Sequence, residues 1–384
     1  MDHDNICPMA SWLVEPLPQE VHRSVQRIRR AEDVCRVALM PDAHLAETVC
    51  VGMVIATREL IYPEAVGRDI GCGMAALAWH SDDSLFDSER FARALLRRIR
   101  EGIPILKHRR HRELPNEIPA QGLSHQRLRN AANRDGAMQL GTLGRGNHFL
   151  EFQTDQQGRL WSLVHSGSRG MGPLITQHHL ESCSIRSAGI RGVLAESEEG
   201  QAYLQDADWA RRYARASRLA MLRVVGEILA TGFSIAADWN SLIHSDHNHV
   251  QMEEHFAERC WVHRKGAQSA REEESGVIPG SMGTTTYHIR GRGVAPSLMS
   301  CSHGAGRRLS RERARKSIRT RDLLQEMRKV HFDPSMADRY REESPGAYKD
   351  IRRVMRAQKD LVRIENTLQP RLVFKGGNIR HTRG

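Results

Sequence analysis

The sequence predicts an α+β fold whose active site is assembled from loops spread along almost the whole chain. Three observations lead there. Residues 86–100, 208–229, 310–329 and 350–368 place apolar side chains three or four apart between Arg, Lys and Glu, the pattern of amphipathic helices. Short apolar, β-prone pieces at 51–56, 75–78, 160–164 and 285–289 each adjoin a loop rich in Gly, Ser or His. Helices and strands then alternate irregularly, without the regular strand-helix-strand units of a doubly wound sheet. Residues 108–134 are polar, basic and irregular, and read as a solvated loop or a shallow groove for RNA. Residues 375–384 read as a basic carboxyl-terminal tail with flexible last residues. No internal repeat or linker divides the chain, so residues 1–384 are expected to form one catalytic domain.

Composition narrows the function class without naming a reaction. The 384 residues are 40% hydrophobic, enough for one large core or two ordinary ones. No apolar run approaches the roughly 20 residues needed to cross a bilayer. The amino terminus is acidic and polar through Asn5, unlike a signal peptide, so a cytoplasmic setting is expected. Seven scattered cysteines with no Cys-x-x-Cys pair argue against a disulfide framework or a structural zinc clip. A net charge of +11 favours a polyanionic partner, because fixed cations attract phosphates and release their counterions.

The chemistry lies in the loops. Met40-Pro41-Asp42-Ala43-His44 is the first, and Val66-Gly67-Arg68-Asp69-Ile70-Gly71-Cys72-Gly73-Met74 the second. In the latter, glycines on both sides of Cys72 let the backbone turn sharply and aim a carboxylate and a thiol at one point. Three glycines lead to Asn147 and His148, with Glu151 three residues beyond. His165 ends an apolar strand before a loop of small donors, and His247-Asn248 lies in the cluster His244, His247, His249. Any one of these histidines alone is more often structural, and Cys72 alone is more often a small buried hydrophobe. Five separate Gly-flanked polar loops are harder to explain that way. Thiolate, imidazole and carboxylate together suit Mn, Fe, Co or Zn better than Mg or Ca, and a thiolate can bridge two ions.

Two further loops suit phosphate. Residues 277–284, with Pro279, Gly280, Ser281, Met282, Gly283 and Thr284, offer amides and hydroxyls. Residues 300–307 set His303 among Gly304, Ala305 and Gly306, with Arg307 close by. A neutral imidazole is a competent nucleophile toward phosphorus; His303 is equally a candidate metal ligand or general acid. Neither loop is a Walker A motif, since the Gly-Lys-Ser/Thr ending is missing.

These stretches, taken in order, closely resemble the RtcB family of RNA ligases from about residue 40 to 376. The motifs are Asp-Ile-Gly-Cys-Gly-Met at 69–74, Gly-Asn-His-Phe at 146–149, His-Ser-Gly-Ser-Arg-Gly at 165–170 and His-Arg-Lys-Gly-Ala at 263–267. Pro-Gly-Ser-Met-Gly at 279–283, His-Gly-Ala-Gly-Arg at 303–307 and Tyr-Lys-Asp at 348–350 complete the set. The resemblance implies an RtcB-like fold around two Mn(II) ions. Asp69, Cys72 and His148 would hold one, and Cys72, His165 and His247 the other. His303 would carry GMP taken from GTP. Guanylate contacts would fall to Asn147, Phe149, Glu151, Asn248, Pro279, Gly280, Ser281, Met282, Gly304, Ala305, Gly306, Arg307, Tyr348 and Lys375. The implied substrate is RNA with a 2′,3′-cyclic phosphate or 3′-phosphate end and a 5′-hydroxyl end, in RNA repair or tRNA splicing. A protein activator or a ribosome-rescue partner is a further candidate, and no membrane is implied.

The chain also departs from the family pattern, as a shorter, divergent repair paralogue would. Leu45-Ala46-Glu47 stands where the family has a Gly-rich continuation, and Arg145 stands where it has glycine. These changes bear on substrate choice, since the ligand residues are intact. Two other classes remain open from sequence: a metal-dependent phosphoesterase that opens cyclic phosphates without sealing, and a non-catalytic RNA-binding paralogue.

Overall fold

A computed structural model describes residues 6–376; the amino-terminal five residues and residues 377–384 lie outside the described residues, and of the basic tail expected over 375–384, Lys375 is instead buried at the end of a strand. The architecture is α+β, with two large, mainly antiparallel sheets. The larger has seven strands in the order Ala237–Asp246, Gly73–Asp82, Arg159–Ser166, Phe149–Thr154, Val362–Lys375, Thr286–Gly291 and Ser275–Pro279. One face carries Leu77, Trp79, Phe152, Leu160 and Leu372 against Leu95 and Ile99 of helix Glu89–Gly102 and Leu222, Val225 and Leu229 of helix Glu198–Phe233. The opposite face buries Met74, Ala76, Trp161, Leu163, Val277 and Leu368. Both faces are apolar because this sheet is enclosed on both sides, which explains runs such as Ala75-Ala76-Leu77-Ala78-Trp79 with no polar alternation.

The second sheet orders Met9–Ser11, Val34–His44, Val51–Thr57, Glu258–Lys265 and Asn248–His255. Val37, Leu39, Met53 and Ile55 pack on Val21, Val25 and Ile28 of helix Gln19–Ile28, while Ala38, Met40, Val54 and Val262 face helix Ile351–Ala357. The chain passes from one sheet to the other at His247, the single residue between strands Ala237–Asp246 and Asn248–His255. Strand register gathers the functional loops at one end of the larger sheet. Gly73 pairs with both Ser166 and Asp246, His165 pairs with Phe149, and Phe149 pairs with Lys375.

Several sequence expectations are corrected. The helix expected over 350–368 is a helix only from Ile351 to Ala357; a strand begins at Val362. Val362 and Leu368 point into packed cores while Arg363 and Ile364 are exposed, and hydrogen bonding to strand Thr286–Gly291 outweighs the local helical spacing. The stretch 310–329 breaks into Arg311–Ser317 and Thr320–Glu326, because Ile318 and Arg319 adopt extended backbone. The segment 108–134 is not wholly irregular: helix Gln126–Ala131 buries Leu128 and Ala131. The helix read at 208–229 extends over Glu198–Phe233, capped by Ser197, whose side chain accepts from the Gly200 amide. Among the described residues no helix is long and apolar enough to cross a membrane, and all seven cysteines are unpaired.

Trp79 tests the central core. It is fully buried, and its indole Nε1 donates to Ser162 Oγ at 3.1 Å. Trp79→Ala is expected to lower stability by about 3–5 kcal/mol, read as a lower urea midpoint.

Candidate metal and nucleotide site

Asp69, Cys72 and His148 bring one ligand-type atom each to within 4.8 Å of one another, as do Cys72, His165 and His247. Cys72 belongs to both triads. Its Sγ lies 3.5 Å from His148 Nε2 and 3.3 Å from His165 Nε2. His148 Nε2 lies 3.0 Å from Asp69 Oδ2, and His165 Nε2 is 3.4 Å from His247 Nε2.

The backbone explains this convergence. Gly71 sits at φ +72°, and a Cβ there would fall 2.7 Å from Arg211 Cα, so the turn before Cys72 requires glycine. At Gly167 a Cβ would lie 2.2 Å from Asp69 Oδ1, and its absence lets the Ser168 amide donate to that oxygen at 3.0 Å. His165 Nδ1 donates to Asn147 O at 3.1 Å, which turns Nε2 toward Cys72 and His247. Two backbone bonds, His247 N to Cys72 O (2.8 Å) and Gly71 N to Asn248 O (2.7 Å), clamp the thiol loop to the sheet crossing.

The electrostatics suit a cation. Burial first, then the neighbouring imidazoles, holds His165 and His247 well below the ordinary histidine value, so both are neutral donors. Burial would raise Asp69, but its hydrogen bond and charge interaction with His148 outweigh that and hold it ionised. Burial and the Asp69 charge push the Cys72 thiol well up. A divalent ion at the sulfur reverses that balance, because coordination deprotonates a thiol outright. The donor set therefore fits borderline divalent metals.

Beside the cluster is a cavity of about 870 Å³. Its lining includes Asp69, Cys72, His165 and His247, and also Asn147, Phe149, Asn248, Pro279, Gly280, Ser281, Met282, His303, Gly304, Ala305, Gly306, Arg307, Tyr348 and Lys375. His148 and Glu151 are buried outside that lining. Burial lifts the Glu151 carboxyl to about 8, so near neutral pH it is largely protonated and able to donate. Asn248 is committed on both sides of its amide: Nδ2 donates to Asp69 O at 3.0 Å and Oδ1 accepts from Gly266 N at 2.8 Å. The loop at 279–284 differs from the sequence expectation of open amides, because the Gly280 amide bonds Thr285 O and the Ser281 amide bonds Thr284 Oγ1.

Two residues that the sequence reading did not assign organise this wall. Asp42, fully buried, accepts from His303 Nδ1 at 2.7 Å and from the His303 amide at 3.2 Å. That fixes the proton on Nδ1 and leaves the Nε2 lone pair available. The His303 ring centroid lies 4.6 Å from that of His247. Glu343 is the second. It accepts from Tyr348 Oη at 2.6 Å and pairs with Arg307 (3.1 Å), Arg311 (3.2 Å) and Lys375 (3.2 Å). The sequence signal for Asp42 was its place in the motif at 40–44, which the structure makes the end of strand Val34–His44 rather than a loop; Glu343, in an ordinary charged run, had none.

The family described as tRNA-splicing ligase RtcB matches residues 24–376. The chain belongs to the RtcB family of RNA ligases. It is 34% identical to RNA-splicing ligase RtcB of Escherichia coli strain K12, over 96% of this chain and 97% of that one. It is 29% identical to RNA-splicing ligase RtcB homolog 1 of Entamoeba histolytica (92% and 83% covered). RNA-splicing ligase RtcB2 of a second Escherichia coli strain is 28% identical (90% and 87% covered). The RtcB match spans every residue that lines the cavity except those at 15–21.

Glu343 generates a prediction for stability. Burial would raise its carboxyl, but Lys375, Arg311 and Arg307 hold it down to about 2. A depressed carboxylate stabilises the fold fully above its ordinary value of 4.5, and that contribution drains as pH falls from there through about 2. Glu343→Gln leaves three cations without their counter-charge and is expected to cost about 3–5 kcal/mol at pH 7. The deficit should shrink as pH is lowered below 4.5, measured by urea unfolding across pH.

Proposed function

We propose that this chain joins an RNA 2′,3′-cyclic phosphate or 3′-phosphate end to a 5′-hydroxyl end, with His303 carrying guanylate taken from GTP. The observation that carries the reading is the Asp42–His303 pair set against the two ligand triads. Asp42 holds the imidazole in the tautomer whose Nε2 is nucleophilic and stabilises the cation that forms on attack. Asp69, Cys72 and His148 would hold one divalent ion, and Cys72, His165 and His247 a second, with Mn(II) the ion that the family resemblance implies. When bound, the ions would supply charge neutralisation for converging phosphates.

His303 Nε2 attacks the α-phosphorus of GTP, an N–P bond forms, and pyrophosphate leaves. Water opens a 2′,3′-cyclic phosphate to a 3′-phosphate, whose oxygen displaces His303 and takes the GMP group. A 5′-hydroxyl then attacks the RNA phosphorus, loses its proton, and expels GMP as the 3′,5′ linkage forms. Guanylation is what turns a poor leaving group into a good one. Within the cavity, Phe149, Asn147, Asn248, residues 279–282 and 304–307, Tyr348 and Lys375 would receive the guanosine and its phosphate, and the protonated Glu151 would donate from beneath. Lys375 is already oriented by Glu343 and lies 5.8 Å from the Phe149 ring centroid.

Those end types suit a repair or tRNA-splicing role, and the meeting of segments around 42, 303 and 343 in one wall supports a single catalytic domain. A cytoplasmic setting suits a site whose central thiol must stay reduced.

Purified protein incubated with Mn(II) and α-labelled GTP should form an acid-labile protein adduct that His303→Ala abolishes. An adduct that survives His303→Ala would sink the assignment, and cyclic-phosphate opening without GTP use would favour a phosphoesterase. Asp42→Asn should slow adduct formation by about 10²–10⁴-fold while metal content stays normal, since it leaves the fold and ligands but loses the tautomer lock. Cys72→Ala should lose both bound metal, by elemental analysis, and the adduct.

A further inference from the structure

The basic stretch 108–134 takes no part in the cavity described above, yet its end walls a second cavity of about 680 Å³. Helix Gln126–Ala131 runs into a π-helical turn at Ala132–Gly136 and lies alongside helix Met171–Ser182. Between them Ala131, Met171 and Leu174 form an apolar floor, and Arg127, Asn130 and Arg134 stand exposed at the rim. A π turn inserts one extra residue, re-aiming the side chains that follow, and recurs at functional positions.

The groove connects to the chemistry. It begins at Gly170, whose amide is held by Gln139 Oε1 at 2.8 Å. The preceding residue, Arg169, places Nη1 3.4 Å from Nδ1 of His148 in the ligand cluster. At the other end, one helical turn beyond Leu174, the His178 ring packs 4.8 Å from the exposed ring of His125.

We propose that this groove seats the single-stranded RNA that leads to the end being joined. The reading rests on the ligase function above. Arg127 and Arg134 would take backbone phosphates, the apolar floor and the His125–His178 pair would receive base faces, and Asn130 offers an amide to a base edge. The only carboxylate in the lining, Asp135, is bound to Arg134 at 2.7 Å in a solvated pair that a phosphate can displace. A duplex presents phosphates outward and no base faces, so the apolar floor selects for an unpaired strand.

The test uses the full chain and a fluorescein-labelled single-stranded RNA of about 12 nucleotides, within the span such grooves cover. Arg127→Ala/Arg134→Ala should weaken binding about tenfold and reduce the salt slope of log Kd by about 0.7 per lost phosphate contact. Arg127→Lys/Arg134→Lys should restore most of the affinity and slope. The histidine-guanylate adduct should form at the wild-type rate in both variants. RNA carrying 4-thiouridine should crosslink to the peptide containing Met171 and Leu174. Unchanged affinity and slope in the alanine variant, or equal loss in the lysine variant, would overturn the groove. Absence of adduct in the wild type would sink the ligase reading and leave the binding result standing.

Discussion

The candidate site hangs on one buried guanidinium. Arg218, fully enclosed at the middle of helix Glu198–Phe233, donates to Gly71 O at 2.8 Å, to Ser166 O at 2.6 Å and to His244 Nε2 at 2.9 Å. Those carbonyls belong to the residue before Cys72 and the residue after His165. One planar group thus sets the spacing between two loops that carry ligands from neighbouring strands. Burial pulls its pKa down to about 10, and the neighbouring Asp246, Cys72 and Asp69 offset only part of that effect. A charge so deep is costly unless its donors are used, and here Nη1 is spent on two backbone carbonyls while Nε and Nη2 reach His244. The long amphipathic helix is therefore part of the site's construction.

The same physical device recurs around the cavity. Lys349 Nζ donates to Pro41 O (3.1 Å) and Ala43 O (2.8 Å), the two carbonyls that flank Asp42, so the carboxylate that orients His303 is itself held in place. Arg264, fully buried, pairs with Glu253 and reaches His249 at 3.2 Å, and His249 Nδ1 lies 2.7 Å from Asp246. That chain of charges brackets His247 from both sides at the point where the backbone changes sheets. The segments of Cys72 and His165, the Asp42–His303 pair and the crossing at His247 are thus each held by a buried cation on another element. The wall is rigid because moving any one piece would strand a charge.

What the sequence made legible was the part governed by local backbone. Glycines beside Cys72, before Asn147 and after His165 mark turns and close approaches that no other residue tolerates, and those loops do converge. What it hid was the part governed by long-range pairing. Asp42 and His303 are 261 positions apart, and nothing near either names the other. Glu343 reads as one charge in Arg-Glu-Glu-Ser, and only folding sets three cations against it. Residues 362–368 fit a helical spacing in sequence through Leu361, Val362 and Leu368, but the deciding hydrogen bonds lie on a strand 71 or more residues away. In the same way Ile318 and Arg319 have helix-compatible side chains but extended backbone.

The departures from the family pattern fall where chemistry and recognition are separable. Leu45 is 53% exposed and lines the mouth of the cavity, and Glu47 pairs with Arg68 at 3.2 Å across solvent. Neither touches the two triads. Exchanging a Gly-rich segment for Leu-Ala-Glu there removes backbone freedom and adds an apolar edge and a negative charge at the entrance, while Lys349 keeps the adjoining Asp42 segment fixed below it. Arg145 differs in kind. It lies between Gly144, packed on Arg169 and His148, and Gly146, packed near Arg311, and its Nε is buried without a hydrogen-bond partner among the described residues. It adds a cationic residue in the segment just before His148 without altering any candidate ligand. Under the proposed function, changes of this kind would act on which polyanion arrives and how tightly it is held, and would leave His303 and the two triads as Arg218 and Asp42 set them.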